Sequence, residues 1–277
     1  MCSSDLSGAD SATDPAPAPQ TVNVAAAQAE IRSVTAKVAP GTRTATALCP
    51  PGFRVISGGG FVTGAKSHSA PSAAVPFHGP NGDGFTIIWS GVAAGADENA
   101  TATCAKGLSD VSIVSKAGPG TFRSKSQAWV PCPSGTRVLG FGGQATPVNT
   151  QGPSPVLSGL GPVKRGRGGY VQAVGTATAA PVTARLTAYA VCAKAPSKWQ
   201  VRTWTSASTS GASKDHKLLC PADTRRLGGG FTTFQQKTHL MNAFGAGAPD
   251  GITGARITPN SGGSGPWRLR VTAVCAR

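Results

Sequence analysis

Acidic side chains are the first candidates for chemistry, because glycoside hydrolysis usually needs two carboxylates at a set separation. Asp83, Asp97 and Glu98 form the only local acidic group after residue 30, and residues 111–214 contain no Asp or Glu. The three acids lie beside turn residues, which explains them without catalysis. A secreted hydrolase using Asp97, Glu98 and a histidine is kept as an alternative.

Histidine could serve as a base or a metal ligand, and the chain has His68, His78, His216 and His239. No Gly-x-Ser-x-Gly elbow accompanies them. Asp215 and His216 are adjacent, so on a strand their side chains would point to opposite faces. None of the four recurs at one repeat position, and no cluster has metal-ligand spacing. We therefore expect no catalytic residue, no metal and no cofactor.

Positive charge is the strongest chemical signal. Residues 31–277 hold 26 Lys and Arg against seven acids, a net charge of +19. Such a field attracts polyanions, including acidic glycans and envelope phosphate polymers. The only dense run, Lys164, Arg165 and Arg167, is the best single site for polyanion contact. Because the remaining charge is spread along the chain, we do not expect a nucleic-acid site.

Three further arginines recur at one register of a repeat: Arg54, Arg137 and Arg225. They could form a binding ladder, or each could cap its own turn, and the structural role is favoured. Five tryptophans are candidate platforms for stacking on sugars or bases, which keeps a lectin-like module as a further alternative. They are Trp89, Trp129, Trp199, Trp204 and Trp267.

Cysteine spacing indicates what holds these residues in place. Apart from Cys2 there are six cysteines, two in each of three similar segments, separated by 55, 60 and 55 residues. The recurring offset predicts disulfides within each segment, each closing a loop and adding roughly 4 kcal/mol of stability in the chain-entropy model. Persistent disulfides indicate an extracellular or cell-surface location. The predicted pairs are Cys49–Cys104, Cys132–Cys192 and Cys220–Cys275.

The three segments share a motif of Cys-Pro-x-Gly/Asp-x-Arg-x-Leu/Ile followed by a glycine cluster, and each closes on Cys-Ala-Lys/Arg. This predicts a tether over 1–30 and repeats over 31–110, 111–197 and 198–277. A phosphate-binding use of the glycines would need a following helix. None is predicted, so the cluster indicates a β-bulge or a site where a neighbouring backbone approaches closely.

The 37 Gly and 22 Pro favour short strands joined by turns. Counting back by twos from each closing cysteine gives small apolar residues, which predicts a half-buried strand with the cysteine facing inward. The sequence predicts an all-β protein of about six antiparallel strands per repeat, sandwich-like, with a three-fold β-prism as the alternative, in which each repeat forms one face. In repeat 1 the predicted strands are 31–38, 43–49, 54–63, 68–77, 84–93 and 99–105.

The N-terminal 30 residues are rich in Ser, Asp, Ala and Pro and resemble the tether that follows an export signal. Cys2 could begin a lipoprotein, but Met1–Leu6 more closely resembles translated adapter sequence. The chain has no signal peptide with an apolar core and no run of the ~18–20 apolar residues that a membrane span needs.

The Cys-Pro-x-Gly-x-Arg-Val-Leu-x-Gly-Gly motif, with its closing Ala-Val-Cys-Ala, resembles a repeat of uncharacterised secreted proteins from high-GC bacteria. It covers residues 31–277 and implies an extracytoplasmic location without a known activity. The Cys-Pro-x-Gly element and three-fold repetition also resemble vitelline membrane outer layer proteins, which are β-prisms with shorter repeats and an acidic element that this chain lacks.

Together these features predict a non-enzymatic extracellular or cell-surface repeat protein that binds an anionic polymer or surface, or acts structurally.

Overall fold

The computed structural model is all-β and antiparallel, as predicted. It describes residues 29–38, 42–63, 70–90, 96–118, 125–148, 155–175, 184–210, 214, 216–234, 239–245, 256–259 and 266–277. The predicted tether up to residue 28, including Cys2, lies outside this range. Among the described residues no helix is long and apolar enough to cross a membrane.

The strands of repeat 1 agree closely with the predicted ones. They are β1 Glu30–Val38, β2 Thr44–Leu48, β3 Arg54–Thr63, β4 Ala70–Gly79, β5 Gly82–Ser90 and β6 Asp97–Lys106. Repeat 2 also has six strands: β7 Ser112–Ala117, β8 Lys125–Pro131, β9 Thr136–Pro147, β10 Pro155–Pro162, β11 Gly168–Gly175 and β12 Ala184–Lys194. The described strands of repeat 3 are β13 Gln200–Thr205, β14 Arg225–Phe234, β15 His239–Gly245, β16 Arg256–Pro259 and β17 Arg268–Ala276.

Three sheets are formed, and each combines strands of two repeats. Sheet I has the order β1-β6-β3-β15-β16, sheet II the order β2-β5-β4-β9-β12-β7, and sheet III the order β13-β17-β14-β10-β11-β8. Each sheet therefore joins three strands of one repeat to strands of the neighbouring repeat. In the prism alternative each repeat would form its own face, whereas here the faces are shared.

The three sheets pack against one another around a common core, because the central strands β3, β9 and β14 are in mutual contact. The main cluster of buried apolar side chains includes residues of all three repeats. Each central strand contains a β-bulge one to three residues before its glycine cluster. The bulged residues Ile56, Leu139 and Leu227 are at most 2% exposed. The Leu/Ile that recurs in the repeat motif is thus the bulge at the centre of the molecule.

The glycines after the bulge have the predicted structural role. A Cβ atom on Gly228 would lie 2.1 Å from the Leu139 carbonyl oxygen, and one on Gly140 would lie 2.2 Å from the Ile56 carbonyl oxygen. A real Cβ cannot approach that closely, so the backbones of neighbouring repeats meet here only because these residues are glycine. The cluster is a packing device.

All three disulfides pair as predicted: Cys49–Cys104, Cys132–Cys192 and Cys220–Cys275, each with a Cα–Cα distance of 5.7 Å. The closing cysteines are fully buried, and so are the small residues two and four positions before them. The inward orientation of the cysteines is therefore confirmed. The prediction of a half-buried strand is wrong near the cysteines, because the alternate residues are also at most 4% exposed: Thr101, Thr103, Val191, Thr272 and Val274.

Candidate polyanion-binding face

The outer face of sheet III carries a row of polar and aromatic side chains that crosses all six strands. Strand pairing places Trp129 of β8 beside Tyr170 of β11, and Thr232 of β14 beside Arg270 of β17, which in turn pairs with Thr205 of β13. Glycines of β10 lie between the two halves, which are offset by two residues along the strands, because Gly161 pairs with Tyr170 and Gly159 pairs with Thr232. With strands about 4.8 Å apart, the row is about 24 Å long.

Burial alternates at the ends of this row, where Trp129 and Thr205 face away from the core, whereas Thr232 in its middle is 2% exposed. Residues next to it in sequence, Ala128, Val171, Leu160 and Phe231, are at most 3% exposed. Trp129, in contrast, is 52% exposed. Of the five tryptophans, Trp89 and Trp267 are core residues, and Trp199 and Trp204 are half-buried. Trp129 is therefore the one that could serve as an open stacking platform.

Tyr170 links the two halves of the row and the two repeats that form the sheet. Its ring lies over Gly161, where a Cβ atom would come within 2.9 Å of the ring, and its hydroxyl is hydrogen-bonded to the Thr232 hydroxyl. Burial raises the pKa of the Tyr170 phenol, an effect partly offset by Thr232 and by the charge of Arg270. The phenol stays protonated at neutral pH and can donate or accept a hydrogen bond.

Cationic groups flank the aromatic ones. The Arg268 and Arg270 guanidinium carbons lie 5.4 and 4.6 Å from the ring centroid of Phe234, and the Lys116 ammonium lies 5.1 Å from that of Trp129. These are cation–π distances. The six strands of sheet III contain no acidic residue and six cationic ones, Lys125, Arg202, Arg225, Arg226, Arg268 and Arg270. No carboxylate within the sheet competes with an anionic ligand.

The equivalent row on sheet II is different. Counting from the first cysteine of each repeat, Trp129 corresponds to Thr46, and the pair Trp129–Tyr170 corresponds to the hydrogen-bonded pair Thr46–Thr86. Arg270 corresponds to Thr187 when both are counted from the closing cysteine. Trp129, Tyr170 and Arg270 therefore distinguish sheet III from sheet II, whereas the disulfides, bulges and turns are common to all three copies.

The predicted basic loop lies at one end of this face. Lys164–Gly166 form a 3-10 turn between β10 and β11. The backbone amide of Cys132 donates to the Arg167 carbonyl oxygen at 2.8 Å, and the Trp199 ring lies against Gly166, which has φ +65°. The backbone of the loop is thus fixed, and Arg165 and Arg167 are exposed.

The recurring arginines do not form a ladder, because they lie on three different sheets. Arg54 Nε donates to Asp83 at 2.8 Å, and Arg54 Nη2 contacts His78 Nε2 at 2.8 Å. Arg137 donates to the Thr136 carbonyl oxygen at 3.0 Å. The Arg225 side chain is exposed and has no hydrogen bond or ion pair with any residue that the structure describes. Arg54 has the favoured structural role, tying its turn to the β4–β5 hairpin.

The turn interpretation of Asp97 and Glu98 is wrong, because both belong to β6. Asp97 forms an ion pair with Lys37 at 2.7 Å, whereas Glu98 on the opposite face is fully buried. Asp83 does lie beside a turn, as predicted. The two adjacent carboxylates therefore do not converge on one site. Sequence reasoning could have placed Glu98, since it continues the inward series of every second residue before Cys104.

The described histidines are also separated. His78 Nδ1 lies 2.8 Å from Asp83 Oδ1, and His216 stacks on Trp204 with ring centroids 3.6 Å apart. His68 and Asp215 lie outside the described residues. The described part of the chain contains no group of three or more His, Cys, Asp or Glu that could hold a metal ion.

Comparison with protein-family models and with curated proteins gave no match.

Proposed function

We propose that this protein binds an acidic polysaccharide along the outer face of sheet III, and that it does so outside the cytosol without catalysing a reaction. The observation that carries the proposal is the row from Trp129 to Arg270 on a sheet that has cationic but no acidic side chains. The three disulfides support an oxidising compartment.

An acidic polysaccharide suits this face better than a bare phosphate polymer does. The apolar ring face of a sugar can pack on Trp129, while its hydroxyls reach Tyr170 and Thr205 and its acid groups reach Arg268 and Arg270. A polyphosphate could use only the cations. The loop with Arg165 and Arg167 extends the positive surface past the end of β8.

The test is binding of the full chain to heparin, an acidic polysaccharide, over a series of NaCl concentrations. Trp129→Thr installs the residue found at the equivalent position of sheet II. It is expected to weaken binding about tenfold, corresponding to ~1.4 kcal/mol, at every salt concentration. Arg268→Gln with Arg270→Gln is expected to weaken binding at low salt and to flatten its salt dependence, because charge attraction is what salt screens.

Arg185→Gln is the matched control, since Arg185 is exposed and equivalent to Arg268 but lies on sheet II. It should change heparin affinity by less than twofold. The proposal is rejected if the sheet III variants behave like Arg185→Gln. Salt-resistant binding to neutral dextran would instead favour the lectin-like alternative.

Two further binding measurements identify which side chains contact the polymer. Replacing Lys164, Arg165 and Arg167 together by Ser should weaken heparin binding less than the Arg268 and Arg270 pair does. With polyphosphate as the probe, Trp129→Thr should have no effect, since no sugar ring is present to stack. A tenfold effect there would show that Trp129 acts through the fold of the face.

A further inference from the structure

A cleft of about 280 Å³ lies away from the polysaccharide row, at the end of the molecule where the repeats meet. It is lined by the beginning of β1, the segment after β6, the linker between repeats 2 and 3, the turn before β14 and the end of β17. Its volume is close to the lower end of the usual range for small-molecule pockets.

One wall of the cleft is apolar. Ile31 and Leu108 are half-buried and pack on the edge of the core, and the bulged residue Leu227 lies behind them. Ile31 and Leu108 are in contact with the core on one side and open to the cleft on the other, whereas Leu227, 2% exposed, closes the cleft from behind. A ligand with an apolar body would remove their remaining surface from water, which is favourable at about 25 cal/mol per Å².

The polar wall is positively charged. Arg225 and Arg277 line it together with Asp223. The Asp223 carboxylate is already engaged by the Lys198 ammonium, whose hydrogen bond lowers the pKa of Asp223. The guanidinium of Arg225 has no partner among the described residues. The cleft therefore offers an unused donor fork of the kind that binds a carboxylate through two parallel hydrogen bonds.

Comparison of the three repeats shows how Arg225 differs from the equivalent arginines of repeats 1 and 2. At the equivalent positions, Arg54 is held by Asp83 and His78, and Arg137 donates to a backbone carbonyl. In repeat 3 the recurring arginine stands beside the apolar cleft. A residue that ties down its own turn in repeat 1 is thereby free for a ligand in repeat 3.

We propose that this cleft binds a small amphipathic carboxylate, with its apolar body on Ile31, Leu108 and Leu227 and its carboxylate on Arg225. The inference is independent of polysaccharide binding, because the cleft and the row share no residue.

The test uses the fluorescent probe 8-anilinonaphthalene-1-sulfonate, an apolar anion, with the full chain and with octanoate as competitor. Octanoate is expected to displace the probe at least tenfold more effectively than octanol, which has the same apolar body without the charge. Arg225→Gln should weaken octanoate competition about tenfold. Arg137→Gln, the same substitution at the equivalent position of repeat 2, should leave it within twofold.

A second variant tests the cleft itself. Ala222→Phe adds a large side chain to the cleft wall, in the turn before β14, and should abolish competition while heparin binding stays unchanged. The proposal is overturned if octanol competes as well as octanoate, if Arg225→Gln and Arg137→Gln behave alike, or if Ala222→Phe retains competition.

Discussion

Replacing the buried Glu98 by Gln is expected to stabilise the protein at neutral and alkaline pH. Both carboxylate oxygens of Glu98 are buried without a hydrogen-bond partner among the described residues. Burial raises the pKa of Glu98 from 4.5 to about 7, although the nearby charge of Arg43 opposes this shift. Gln has the same size and never ionises, so it avoids the cost of a buried charge.

The size and sign of the stabilisation by Glu98→Gln follow from proton linkage. The folded state holds the Glu98 proton more tightly than the unfolded state, so ionisation opposes folding. The penalty is absent below pH 4.5, grows as the pH rises to about 7, and is constant above that. One pKa unit corresponds to ~1.4 kcal/mol. The shift therefore sets an upper value of about 3.5 kcal/mol for the gain in the free energy of unfolding of Glu98→Gln at alkaline pH.

This difference is measured by urea unfolding of the disulfide-intact protein at two pH values, one below 4.5 and one above 7. Glu98→Gln should match the parent protein at the acidic pH and exceed it at the alkaline one. Asp97→Asn is the matched control on the opposite face, where losing a surface ion pair costs less than ~1 kcal/mol. An advantage of Glu98→Gln that is equal at both pH values, or present only in acid, would refute the argument.

Two predictions concern stability. Gly228→Ala should lower the free energy of unfolding by ~3 kcal/mol or prevent folding, because its Cβ would lie 2.1 Å from the Leu139 carbonyl oxygen. Gly79→Ala is the control: its Cβ meets nothing closer than 3.4 Å, so it should lower the free energy of unfolding by less than ~1 kcal/mol. Equal effects of the two variants in urea unfolding would contradict the close-packing explanation. Replacing both Cys132 and Cys192 by Ala should lower the free energy of unfolding by ~4 kcal/mol. Non-reducing peptide mapping of the parent protein should recover only disulfides within repeats, and a disulfide between repeats would contradict the pairing.

Much of the fold could be predicted because its signals are local. Alternation placed the closing strands with their cysteines inward, constant spacing gave the disulfide pairs, and the glycine cluster indicated the bulge. The sharing of sheets between repeats could not be predicted, since alternation specifies which face of a strand is buried but not which strand lies beside it. The third repeat shows this well: β15 pairs with β3 of the first repeat and not with its own closing strand.

The candidate face was missed for a related reason. Trp129, Tyr170 and Arg270 are distant in sequence, and only the β10–β14 pairing brings the strands that carry them into one sheet. A signal was present, because Trp129 occupies the position of Thr46 in the first repeat. Comparing repeats at equivalent positions, and asking where they differ, would have indicated this strand.

The sharing of sheets also sets the order in which the chain can fold. Ala243 of β15 pairs with Phe61 of β3, 182 residues earlier, so sheet I cannot be completed until β15 and β16 of repeat 3 have left the ribosome. Pairings over such sequence distances close large loops and form slowly. Until they form, β3 presents an unpaired edge that other chains could join. We therefore expect the newly made chain to need protection from association with other chains until β15 of repeat 3 has paired with β3 of repeat 1.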